Sequence, residues 1–176
     1  MKKILAFGGS NSKNSINKRL AIHAAGLVEN ASVDIADLND FDLPLYGIDL
    51  ENEQGIPSAA EEFLNMIKAS DGIVLSLAEH NGAYSTAFKN IFDWMSRIDS
   101  KVWQNKPMLL MATSPGGRGG ATVLEIAQSR FPYMGGNVVA TFSLPSFGQN
   151  FTEDGITDED LRNQFNSAIE TFSNEI

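Results

Sequence analysis

The sequence predicts an α/β fold, a five-stranded parallel sheet with helices packed on both faces. Three observations lead there. Five runs of strand length recur along the 176 residues, and each is followed by apolar residues repeating at helical spacing. Most of these runs are apolar throughout, as strands covered on both sides must be. Strand and helix alternate to the end, which calls for parallel pairing through helical crossovers.

Residues 3–8 form the first strand. In residues 15–29, Ile16, Leu20, Ala24, Leu27 and Val28 mark one face of a helix. Residues 32–37 (SVDIAD) are a short alternating strand, and the acidic stretch 38–55, with Pro44 and two glycines, reads as a long loop. Ser58 and Glu61 make a capping-box pattern at the start of a helix whose apolar face is Ala60, Phe63, Leu64 and Ile67. Residues 72–77 (GIVLSL) are the third strand. The loop AEHNGAY then leads to a helix carrying Phe88, Ile91, Phe92 and Met95 on one face. Residues 108–113 (MLLMAT) are the fourth strand, followed by SPGGRGG and a helix from Ala121 to about Tyr133. Residues 137–142 are the fifth, and a last helix after Thr157 shows Leu161, Phe165, Ala168, Ile169 and Phe172. Right-handed crossovers leave few ways to connect such elements. The common five-stranded solution is the flavodoxin-like three-layer sandwich, with strand order 2-1-3-4-5. Residues 1–176 are expected to form one domain, since no repeat, linker or low-complexity tract divides them.

Composition narrows the chemistry. Cysteine is absent, which excludes disulfides, thiolate metal sites and cysteine nucleophiles, and His23 and His80 are too few for a histidine-rich metal centre. A net charge of −9 disfavours nucleic acid and anionic lipid as partners. No apolar run reaches membrane-spanning length, and the first residues lack a signal-peptide pattern, so the cytoplasm is the expected location.

In a sheet of this topology ligands bind beyond the carboxyl ends of the strands, at the switch point. Three unusual loops leave those ends: 9–17, 78–84 and 114–120. The first, GSNSKNSIN, opens a helix, whose free N–H groups and dipole favour an anion. The hydroxyls of Ser10, Ser12 and Ser15 and the amides of Asn11, Asn14 and Asn17 can donate to phosphate oxygens. The same residues also serve as helix caps and turn formers. Neither a Walker lysine nor G-x-G-x-x-G is present, so a terminal phosphomonoester fits better than a pyrophosphate. The third loop has four glycines in five positions, which allow close backbone approach to a flat ligand. Arg118, its cation, can meet a phosphate or pair with an acidic neighbour.

The stretch AEHNGAYSTAFKNIFDWMSR resembles the motif of the NADPH-dependent FMN reductase family, matching at Glu79, Asn81, Gly82, Tyr84, Lys89, Asn90, Asp93, Trp94, Ser96 and Arg97. Gly9, Ser10, Ser15 and Asn17 fit the family's phosphate loop, and SPGGRGG resembles its third loop. Ser12 stands where the family usually has an arginine, with Lys13 beside it, while Ala78 and His80 replace a proline and a tyrosine. The resemblance implies that Ser10, Ser12, Lys13, Ser15, Ile16 and Asn17 hold the FMN phosphate. It places Glu79, His80, Asn81 and Gly82 along the isoalloxazine, and Ser114, Pro115, Gly116 and Gly117 on its pyrimidine side.

It further implies an NAD(P)H-dependent FMN oxidoreductase without a catalytic side chain. NADPH or NADH delivers hydride to flavin N5, and a second acceptor (flavin, quinone, azo compound or oxyanion) takes the electrons in a ping-pong cycle. Amides at the helix start after Gly120 are expected to stabilise the reduced ring. A homodimer or homotetramer is expected, with no nucleic-acid or membrane partner and no metal. A flavodoxin-like electron carrier that ignores NAD(P)H stays open as the alternative. His80 reads either as a proton donor or as packing for the ring edge, Tyr84 as a flavin or subunit contact, and Trp94 and Trp103 as core or subunit contacts. Lys89, Asp93 and Arg97 read as an ion-pair ladder or an interface set.

Overall fold

The computed structural model describes residues 1–176. In chain order the elements are β1 (Lys2–Gly9), α1 (Ile16–Gly26), β2 (Ala31–Ala36), α2 (Ile48–Gln54), α3 (Ser58–Ala69) and β3 (Gly72–Leu77). A small hairpin follows, β4 (Glu79–His80) and β5 (Ala83–Tyr84), then α4 (Thr86–Ile98), β6 (Pro107–Thr113), α5 (Ala121–Arg130) and β7 (Asn137–Leu144). The chain closes with α6 (Phe147–Asn150), a second hairpin of β8 (Phe151–Thr152) and β9 (Gly155–Ile156), and α7 (Glu159–Glu175).

The main sheet has the order β2-β1-β3-β6-β7, all parallel, as the sequence predicts. The fold is flavodoxin-like. Side chains alternate between two cores because successive strand residues point to opposite faces. Phe7, Leu75 and Leu110 pack toward α3, α4 and α5, while Ala6, Val74, Leu109 and Met111 pack toward α1 and α7. Each fully buried large side chain contributes about 1.5–3 kcal/mol relative to exposure. Gly8 allows the start of α1 to lie against the end of β1: a Cβ there would stand 2.5 Å from the Lys18 backbone nitrogen. No helix is long and apolar enough to cross a membrane.

Several local expectations are corrected. The acidic stretch after β2 contains a 3-10 turn at Leu38–Asp40 and the helix α2. None of α2's residues is buried, so it carries no apolar stripe by which a sequence could reveal it. The Ser58–Glu61 capping box does not form. Ser58 is already helical, and Pro57 holds the cap position without a side-chain bond. AEHNGAY is a hairpin rather than an open loop, turning through Asn81 (φ 51°) and Gly82 (φ 73°), the pattern of a type I′ turn. The helix at Ala121 passes into a 3-10 turn at Phe131–Met134, where Pro132 removes an amide donor.

Candidate functional site

The three loops converge at the carboxyl ends of β1, β3 and β6, and Asn17 ties those ends together. It is 2% exposed. Its Oδ1 accepts from the Ser76 hydroxyl (2.7 Å) and the Thr113 backbone N–H (3.0 Å), and its Nδ2 donates to the Thr113 carbonyl (3.1 Å). This narrows one expectation: the Asn17 side-chain oxygen and one of its two amide N–H donors are spent inside the protein, and its backbone N–H makes no bond within the chain. Ser76 and Thr113 complete the network. Their signal in the sequence is a single hydroxyl within, or at the end of, an otherwise apolar strand.

Loop 9–17 is built to present amides. Ser15 caps α1 by accepting from Lys18 N (3.1 Å), and Ser10 Oγ accepts from Ser12 N (3.1 Å), so both hydroxyl hydrogens remain available. The backbone N–H groups of Asn11, Lys13, Asn14, Ile16 and Asn17 make no hydrogen bond within the chain. Ser12, Lys13 and Asn14 are exposed, Ser10 and Ser15 buried, and Ile16 half-buried. Five free donors beside a helix N-terminus are an arrangement that favours an anion. Below it, Ser85 Oγ donates to the Gly9 carbonyl (2.7 Å) and caps α4 through Phe88 N (3.2 Å). Sequence reasoning missed that clamp between the first two loops.

In the second loop, Glu79 has a structural tie of its own. Its carboxylate accepts from Val123 N (3.0 Å) and so caps α5 across space. Of α5's first three amides, Ala121 N is bonded to the Arg118 carbonyl and Val123 N to Glu79, so the expected stabilisation of a reduced ring by this helix start is narrowed to Thr122 N, which makes no bond within the chain. Gly120, the residue before the helix, has no side chain with which to cap it. A Cβ at Gly82 would meet only Thr122 Cγ2, at an ordinary 3.9 Å, so its glycine serves the turn. His80 and Asn81 are exposed.

The third loop divides into two pairs. Gly119 and Gly120 have φ of 59° and 73°, and a Cβ at either would overlap neighbouring atoms. Gly116 and Gly117 have ordinary φ and open space around them, so nothing within the protein requires glycine there. Ser114 Oγ donates to the Gly116 carbonyl (3.1 Å), and that carbonyl also receives Ser146 N (2.9 Å). Ser114 is half-buried, and Pro115, Gly116 and Gly117 are exposed. Arg118 donates to the Thr122 hydroxyl (3.0 Å) and forms no ion pair.

A cleft of about 650 Å³ opens beside these loops, with Asn11 and His80 on one side and Phe41, Asp42, Leu43 and Leu45 on the other. The second wall belongs to the stretch first read as loop. The predicted Lys89–Asp93–Arg97 ladder is only half formed: Lys89 pairs with Asp93 (2.7 Å), while Arg97 reaches Glu51 (2.9 Å).

Tyr84 lies stacked on Phe131 and near Phe88 and Phe92, its hydroxyl buried without a partner. Burial pushes its pKa up to about 12. Tyr84→Phe removes a donor that has lost water and gained nothing, so stability should be unchanged or about 1 kcal/mol higher in urea unfolding at pH 7. The folded-state value lies above the unfolded one. The native protein should therefore lose stability as pH climbs from about 10 through 12, and the variant should lose less.

Fold and site together define a flavodoxin-like protein with a first loop of unbonded amides and two further loops around an adjoining cleft. The chain belongs to the NADPH-dependent FMN reductase family, whose model matches residues 2–149. A quinone reductase of Escherichia coli (strain K12) is 33% identical over 124 residues, covering 68% of this chain and 63% of that protein. An NAD(P)H-dependent FMN reductase of Pseudomonas aeruginosa is 32% identical over 115 residues, covering 65% and 60%. The chain thus spans less than two thirds of the length of these relatives. Among solved structures, FerB of Paracoccus denitrificans, a flavoenzyme NAD(P)H:(acceptor) oxidoreductase, superposes with TM-score 0.78 at 24% identity, covering 99% of this chain and 97% of that one.

Proposed function

We propose that the chain is an NAD(P)H-dependent FMN oxidoreductase, one domain over residues 1–176, working in the cytoplasm as a homo-oligomer. The observation that carries the reading is the set of five unbonded amides in loop 9–17, with two glycines across the site that the fold does not need. When bound, FMN supplies the redox chemistry, taking a hydride from NAD(P)H and passing two electrons to a small-molecule acceptor.

The chain supplies position. The free amides of Asn11, Lys13, Asn14, Ile16 and Asn17, with the hydroxyls of Ser10 and Ser15, hold the phosphate. Ser12 and Lys13 stand at its exposed side. Asn81, Gly82 and His80 present the hairpin turn to the ring, and Glu79 fixes that hairpin to α5. Ser114, Pro115, Gly116 and Gly117 form the other support, which is flat because it bears no side chain at two positions. No acid or base is needed to activate a hydride.

Anaerobic titration tests this. The purified protein should quench FMN fluorescence on binding, and NADPH or NADH should then bleach the flavin band in stopped flow. Failure to bind FMN, or to bleach, rejects the reading. Binding without bleaching leaves an electron carrier, which the acidic surface permits. Restoring a cation tests the phosphate end separately. Ser12→Arg should lower the FMN Kd about tenfold through a charge-assisted contact, as read by the same fluorescence titration.

A further inference from the structure

The motif residues Asn90, Trp94 and Arg97 remain without a role in holding FMN, and the structure gives them a shared one. Residues 37–54 form a strap from the end of β2 through α2, and α4 grips it at three points. Asn90 Oδ1 accepts from Tyr46 N (2.8 Å) and its Nδ2 donates to the Pro44 carbonyl (3.0 Å). Trp94 Nε1 donates to the same carbonyl (2.8 Å), with Tyr46 packed edge-on against the indole (5.0 Å). Arg97 pairs with Glu51, which also receives the Tyr46 hydroxyl (3.0 Å). Trp94 is fully buried, so the middle of the grip is anchored in the core, while Arg97 lies at its exposed end.

What the strap offers to the cleft is apolar surface and negative charge. Phe41, Leu43 and Leu45 line it, and Leu45 is 72% exposed, an apolar side chain held out in water. Residues 37–54 include six carboxylates and no lysine or arginine. Two of the six are balanced, Asp37 by Lys18 and Glu51 by Arg97. Asp42 lines the cleft, Asp40 stands between the lining residues Asn39 and Phe41, and neither has a cationic partner. No lysine or arginine lines the cleft at all.

One feature works the other way. Thr86 and Ala87, at the start of α4, line the cleft, and their backbone amides make no bond within the chain. A helix start carries about half a positive charge, against two full carboxylates nearby. Two free amides suit a carbonyl oxygen, which needs donors, better than a full anion, which must also pass Asp40 and Asp42.

We propose that this clamped strap makes the cleft a charge-selective acceptor site, which takes flat uncharged carbonyl acceptors such as quinones and rejects anionic ones, oxyanions included. The inference rests on the oxidoreductase reading for its chemistry. There, NAD(P)H, one proton and the quinone give NAD(P)+ and the hydroquinone, the two electrons passing through the flavin. Asn90, Trp94 and Arg97 are positioning residues for the strap.

The test compares two naphthoquinones, one uncharged and one carrying a sulfonate. Their dissociation constants are measured by equilibrium dialysis against the FMN-saturated protein and against the protein alone, and their KM values in steady state with NADH. The uncharged quinone should bind at least tenfold more tightly, and the preference should shrink as salt rises toward 1 M. Asp42→Asn should reduce the preference and Asp42→Lys should reverse it. Trp94→Phe keeps the packing but loses the N–H, and should raise KM for the uncharged quinone about fivefold while leaving kcat and FMN affinity unchanged. Arg97→Gln, at the exposed end of the grip, gives the same comparison should Trp94→Phe fail to fold. Equal binding of the two quinones, or a preference untouched at Asp42, overturns the proposal. A protein that takes no FMN rejects the functional reading alone, since dialysis without FMN still scores the cleft.

Discussion

Asn17→Ala should destabilise the protein by about 3–5 kcal/mol in urea unfolding, with the midpoint falling and the slope unchanged. The substitution leaves the Ser76 hydroxyl, the Thr113 N–H and the Thr113 carbonyl without the partner they have now, in a place water does not reach. Each buried polar group so abandoned costs about 1–3 kcal/mol, and the loss is less than the sum because a water can enter the space of the missing amide. Against a total stability of about 5–15 kcal/mol the fold survives narrowly. Asn17→Asp is the sharper probe, because its shape is the same. The carboxylate would face the Thr113 carbonyl that the amide now serves, and burial would raise its pKa above the unfolded value. That variant should be nearest to native stability in acid and should lose ground as pH rises through its folded-state pKa. A variant as stable as the native protein at pH 7 would mean that Asn17 does not join the strand ends.

The same residue shows where sequence reading reached and where it stopped. The order of strands was legible because burial on both faces forces continuous apolar runs, as in GIVLSL and MLLMAT, and crossover handedness then limits the connections. The three loops were legible because glycine, serine and asparagine in such density have no place in a core. The destination of a polar side chain was not. Asn17 sits in a loop rich in donors, and nothing in GSNSKNSIN distinguishes the one that turns inward from those that face water. Glu79 is the parallel case. It lies 44 positions before Val123, and its bond to that amide exists only once β4 and α5 are side by side. The strap was hidden for a different reason. A helix with no buried residue has no periodicity to read, and its grip on α4 is written in Asn90, Trp94 and Arg97, far along the chain.

The glycines of SPGGRGG allow fold and function to be separated within five residues. Gly119→Ala should cost about 3 kcal/mol or more. An L-residue in the left-handed region loses about 1–2 kcal/mol, and the added Cβ would stand 2.9 Å from the backbone of Leu144 and Pro145, which cannot turn aside. It would also meet Ser143 Oγ at 2.5 Å, and moving that hydroxyl breaks its bond to the Gly119 carbonyl (3.0 Å). Gly117→Ala, two residues earlier, meets no atom within 4 Å and keeps an ordinary φ, so stability should stay within about 0.5 kcal/mol of native. Its effect should fall on the cofactor. A methyl group on the flat support would push the ring away, and the FMN Kd should rise tenfold or more while urea unfolding without FMN is unchanged. Gly116→Ala should behave as Gly117→Ala does. If both variants bind FMN as tightly as the native protein, the ring does not rest on this loop, and the two glycines need another explanation. If instead they unfold, the open space around them is filled in solution by the chain itself. A loss of FMN affinity with stability intact fits neither alternative, because only a ligand meets the added methyl groups.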